Sequence, residues 1–115
     1  MTKELFQIPS KEKIKSVLEE LGIQYNDITV ETLYRFFDKA WVNSKGNLAT
    51  FMFVGKSEFY LAKGEPYWLR QKMMHEITNL EHAKIVSVEK VYNPKTKMFK
   101  KQIIMPKEIA EKFLS

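Results

Sequence analysis

Residues 88–106 read VEKVYNPKTKMFKKQIIMP. Apolar and polar residues alternate as far as Asn93-Pro94, then alternate again from Met98 with lysine in the polar slots. A period of two is the pattern of a half-buried strand, and Asn-Pro before Lys-Thr-Lys is turn chemistry. The stretch predicts a β-hairpin with strands over 84–92 and 98–105 and a loop over 93–97. An antiparallel pair formed this locally excludes an all-helical fold. The rest of the chain must then supply what covers it.

Working outward, Pro106 opens a short terminal helix whose Ile109 and Phe113 can pack inward. Upstream, YWLRQKMMHEITNLEH (67–82) sets Leu69, Met73, Ile77 and Leu80 on one helical face, with Pro66 pre-set for its first turn. Before that break, LATFMFVGKSEFYLAKG (48–64) reads as a second hairpin. Gly55-Lys56 suits a type II′ turn between β-branched and aromatic strands. The first of these strands is apolar on both faces, which predicts a central position.

Two helices precede it. Ser10 is a candidate N-cap for KEKIKSVLEELGI (11–23), where Ile14, Val17, Leu18 and Leu21 form one stripe and Gly22 suits the left-handed C′ position. Asp27 or Thr29 can cap VETLYRFFDKAW (30–41), whose stripe runs from Val30 through Leu33, Phe36 or Phe37 and Ala40 to Trp41. VNSKGN (42–47) ends it. The predicted order is α-α-β-β-α-β-β-α. This is an α+β fold, a single domain over 1–115, with an antiparallel sheet of about four strands covered by helices.

Composition agrees. A chain of 115 residues with 44% hydrophobic and 29% charged residues lies in the range of one globular domain. There is no cysteine, which excludes disulfides, thiolate chemistry and cysteine-based metal sites. The start, MTKELFQIPSKEK, lacks the apolar core of a signal peptide, and no apolar run approaches the length of a membrane span. The expectation is a soluble cytoplasmic protein with no membrane association. Seventeen lysines against two arginines fit an AT-biased coding sequence, as in a virus or a thermophile.

The charge is concentrated. Residues 84–107 carry seven lysines and one acid, Glu89, whereas the remaining chain carries 12 basic and 13 acidic residues. Lysine protects strand edges from aggregation, but mixed signs would serve solubility equally well. The excess fits a polyanion-binding arm, with a solvated sheet face or protected edge as the alternative. Lys84, Lys90, Lys95, Lys97, Lys100, Lys101 and Lys107 are the candidate phosphate contacts, and Tyr92 and Phe99 the candidate stacking residues. With so little arginine, contacts of this kind carry weak base preference.

Other constellations are weaker. The first two helices, followed by the Gly55-Lys56 hairpin, resemble a helix-turn-helix of the winged type, with Glu31, Thr32 and Arg35 as the exposed groups a recognition helix would use. The link from Gly22 to Thr29 is longer than that motif uses, and two amphipathic helices covering a sheet account for the same residues. His75, Asn79 and His82 would share a helix face, with His82 expected beyond the helix end. HEITN lacks the second histidine of a zinc-protease motif. No nucleophile, phosphate loop or acid pair is readable, so no catalytic residue, metal ligand or cofactor is assigned. Ten of the fifteen aromatics fall between Tyr34 and Trp68. Adjacent helical residues diverge by about 100°, so one of Tyr67 and Trp68, with Tyr60, is expected near the surface as a protein-partner anchor.

Two expectations follow. The first is a non-enzymatic, basic module that binds DNA or RNA through its lysine hairpin. The second is a protein-interaction module, an adaptor or inhibitor of the kind a virus or mobile element encodes, acting through that hairpin or the Tyr60, Tyr67 and Trp68 region.

Overall fold

Ser10 opens the first helix as predicted. In the computed structural model, which describes residues 7–42, 52–60 and 64–115, its hydroxyl accepts from the Lys13 N–H at 3.1 Å. Helix α1 (Lys11–Glu20) ends in a Schellman turn. Gly22 takes a φ of 72°, and the Ile23 N–H returns to the Leu18 carbonyl at 3.0 Å, satisfying a carbonyl the helix leaves free. Helix α2 (Asp27–Lys39) is capped by Asn26 rather than by Asp27 or Thr29. Asn26 Oδ1 accepts from the Thr29 N–H at 3.0 Å and Thr29 Oγ1 accepts from the Asn26 N–H at 3.1 Å. This reciprocal box satisfies two backbone donors at once, which neither predicted cap alone would do.

Strands β1 (Trp41–Val42) and β2 (Met52–Gly55) pair antiparallel. Trp41, predicted to close the second helix, is instead a strand residue, because that helix stops at Lys39. The linking residues 43–51, which hold most of VNSKGN, lie outside the described residues, as do 61–63. The type II′ hairpin does not form. The chain turns from Gly55 directly into a short helix α3 (Lys56–Tyr60), burying Phe59. Gly55 adopts no left-handed turn conformation, and a Cβ there would crowd only the flexible end of Lys100, its Cε at 2.8 Å.

Helix α4 (Tyr67–His82) buries Met73, Ile77 and Leu80 and extends through His82. It ends as α1 does, with the Ile85 N–H donating to Leu80 O at 2.9 Å. The left-handed residue here is Lys84, at φ 62°. Lys84 thus terminates a helix rather than starting a strand. A side chain in that conformation costs about 1–2 kcal/mol, so Lys84→Gly is expected to raise stability by about 0.5–1 kcal/mol, read as a higher urea midpoint.

Strands β3 (Ser87–Asn93) and β4 (Met98–Met105) form the predicted hairpin, and α5 (Lys107–Leu114) follows Pro106. All pairs are antiparallel, in the order β1-β2-β4-β3. The fold is α+β: the described residues form five helices on a four-stranded sheet, in the predicted order plus α3. β2 is central, as its two apolar faces required. Cross-strand register puts Val42, Met52, Val54, Ile103 and Met105 on one face, all buried with Leu33, Phe36, Phe37, Met73 and Phe113. Phe37 sits 5.4 Å from Phe113, tying α2 to α5. No helix among the described residues is long and apolar enough to cross a membrane.

Candidate nucleic-acid interface

The β3–β4 hairpin outruns the helices that cover its base, and every residue from Glu89 to Lys101 is exposed. Side chains alternate along each strand, and directly paired residues share a face. Register therefore sorts the arm. Val88–Ile103, Lys90–Lys101 and Tyr92–Phe99 are direct cross-strand partners, so these pairs extend the core face outward into solvent. Glu89–Gln102, Val91–Lys100 and Asn93–Met98 occupy the other face.

The seven lysines accordingly do not share one surface. Lys90 and Lys101 stand opposite each other on the core-side face, next to an aromatic pair whose ring centroids are 5.2 Å apart. Tyr92 is 50% and Phe99 66% exposed. Lys95 and Lys97 lie at the tip, where Asn93 organises the loop: its Oδ1 accepts from the Lys95 N–H at 2.9 Å and its carbonyl from the Lys97 N–H at 2.8 Å. Lys100, on the opposite face, reaches Glu58 at 3.1 Å. Lys107 lies 3.9 Å from Glu111 on α5, and Lys84 sits at the end of α4. Neither of the last two belongs to the arm.

A cleft of about 560 Å³ lies where the arm meets the body, lined by Lys56, Tyr60, Arg70, Phe99, Lys100 and Lys101, together with Ser57. The sequence marks Lys56 only as a turn residue and gives Arg70 no role. They stand far from the hairpin in the chain, and only the turn of α3 and the start of α4 bring them to it. The Tyr60 hydroxyl is buried without a hydrogen-bond partner among the described residues. Burial, with a smaller effect of Glu81, pushes its pKa up to about 12.

The predicted protein-anchor residues separate. Tyr67 and Trp68 are both exposed, at 71% and 58%, rather than one of the two. The Tyr67 hydroxyl accepts from Gln71 at 2.7 Å, and Lys72 lies 5.8 Å from the Trp68 ring centroid. Tyr60 is only half-exposed and belongs to the cleft.

The groups a recognition helix would need are already engaged. Glu31 pairs with Lys11, the Thr32 hydroxyl donates to the Ile28 carbonyl at 2.6 Å, and Arg35 forms a two-pronged pair with Glu65, one prong at 2.8 Å. Helix α2 is instead a core helix. His75, Asn79 and His82 are exposed, and no cluster of three metal-ligating side chains occurs among the described residues. Compared with family models, curated proteins and solved structures, the chain matches none.

Proposed function

We propose that the chain is a small nucleic-acid-binding module whose β3–β4 arm docks unpaired DNA or RNA through phosphate contacts and base stacking. One observation carries this reading: Lys90 and Lys101 are direct cross-strand partners beside the exposed Tyr92–Phe99 pair. Like charges directly opposite destabilise a sheet, and neither lysine has an ion pair among the described residues. A strand that brings phosphates to the lysines and bases to the rings relieves that repulsion and covers the aromatics. Stacking contributes about 1–3 kcal/mol per base and tolerates any sequence. Lys95 and Lys97 at the tip extend the track.

The test is a salt titration of fluorescence anisotropy, using a labelled oligothymidylate and a duplex of equal length. About four neutralised phosphates give a slope near −3 in log affinity against log salt for a single strand. The single strand is expected to bind more tightly than the duplex, whose bases cannot reach the rings. Undetectable affinity at about 50 mM salt, or affinity insensitive to salt, would refute the reading.

The exposed Tyr67 and Trp68 favour a second reading, in which α4 also anchors a protein partner. Trp68 is more exposed than buried, so Trp68→Ala is expected to cost about 1 kcal/mol, to leave the chain folded and to leave strand affinity unaltered. Pull-down with the wild-type and variant chains then checks whether a partner depends on that ring.

A further inference from the structure

β2 stops at Gly55, opposite Gln102, so β4 residues 98–101 run on without a strand on that side. Helix α3 and the start of α4 approach this free edge and close the cationic cleft against it. Its lining brings four cations together and includes no carboxylate. Lys100 is engaged by Glu58, which leaves Lys56, Arg70 and Lys101 without an ion pair among the described residues. Lys56 and Arg70 are partly buried, where like-charge repulsion is screened less than in open solvent.

Two donors of the lining residues lack acceptors among the described residues as well: the Tyr60 hydroxyl and Arg70 Nε are buried with no hydrogen-bond partner there. Such atoms are rare in folded proteins and call for an explanation. The cleft's size suits a phosphate with its sugar better than a lone ion, since ligand pockets run from about 300 to 1,000 Å³. Phe99 supplies the link to the arm, because it lines the cleft and its ring also packs, tilted, against Tyr92.

We infer that this cleft is a phosphate site, holding one phosphate of a nucleotide whose base lies on the Tyr92–Phe99 pair. The inference rests on the strand-docking reading and adds a fixed point to it. Lys56, Arg70 and Lys101 neutralise the phosphate, and the strand runs from the cleft along the core-side face toward the tip. An internal diester and a terminal monoester offer the same chemistry, and the experiment separates them.

Two oligothymidylates of about six nucleotides, labelled at the 3′ end and differing only in a 5′-phosphate, are titrated into the full chain and its variants. Lys56→Gln with Arg70→Gln is expected to lower affinity about tenfold and to reduce the salt slope by about 0.7 for the one phosphate lost. Lys72→Gln, which removes a charge beside Trp68, is expected to leave both unchanged. If the phosphorylated strand binds wild type more tightly and the double variant erases that advantage, the cleft holds a terminal monoester. If both strands bind alike and weaken together, it holds an internal diester. Should the double variant unfold, Lys56→Gln alone carries the test, with a smaller loss of the same sign. A folded variant that binds both strands as wild type does overturns the cleft assignment while the arm reading stands. Failure of wild type to bind either strand removes both.

Discussion

Exchanging Lys90 and Lys101 together for glutamate is expected to weaken single-strand binding by about a hundredfold or more at low salt. Each lysine is read as one phosphate contact, and each replacement turns an attraction into a repulsion at the same position. The slope of log affinity against log salt should fall by about 1.4 for the two phosphates lost. Stability should not fall, because the double change exchanges one directly opposed like-charge pair for another and sets a carboxylate beside the cations of the cleft. That separates loss of binding from loss of fold. The single change Lys90→Glu sharpens the test, since it sets a carboxylate opposite Lys101. Opposite charges across a sheet contribute about 0.2–1 kcal/mol relative to a neutral pair, so this variant should melt at a higher temperature than wild type while binding more weakly. A surface that gains stability when its charge is broken has been kept for something other than the fold. If the double variant binds as wild type does, that face is not where the strand docks.

Replacing Arg35 with alanine is expected to cost about 3 kcal/mol and, for a chain of this size, to lower Tm by roughly 10–20 °C. Arg35 on α2 and Glu65 before α4 form a two-pronged pair whose side chains are only 16% and 7% exposed. Removing one partner strands the other charge in a poorly solvated site. Arg35 also lies 6.0 Å from the Phe59 ring centroid, so the loss reaches α3. The pair predicts an acid limb as well. Hydrogen bonds from Arg35 hold the Glu65 carboxyl below the usual carboxylate range against the opposing effect of burial, helped by the charges of Arg35, Arg70 and Lys39. A depressed folded-state pKa gives stability that is complete above the unfolded value, near pH 4.5, and that disappears as pH falls through the folded one. Wild type should therefore lose stability below about pH 5, and Arg35→Ala should show a shallower acid limb, read from urea midpoints at stepped pH.

Ser10, Gly22 and Pro106 were legible because each acts within one turn of its own helix. The hairpin was legible because alternation and Asn-Pro agree over its whole length. Gly55 was not. A five-residue run carrying Phe59 and Tyr60 satisfies a strand or a single helical turn equally well, and burial of Phe59 against the sheet decides for helix. The glycine that suggested a turn instead lies beside the flexible end of Lys100, which reaches Glu58. The division of the lysines was within reach: Lys100 and Lys101 are adjacent in a strand and must point to opposite faces, so no single surface could have held all seven. Lys90, Lys101, Tyr92 and Phe99 share a face only through the register that the 93–97 loop imposes. Lys56 and Arg70 were beyond reach, because the path of α3 and α4 alone brings them to β4.

Amide chemical shifts of the labelled protein, followed by two-dimensional NMR while an oligothymidylate is added, test the central claim most directly. The account expects the largest shifts at Lys90 to Tyr92 and Phe99 to Lys101, with a second group at Lys56 and Arg70, all diminishing as salt is raised. Shifts centred on Tyr67 and Trp68, or spread evenly over Lys84, Lys107 and the helices, would contradict it.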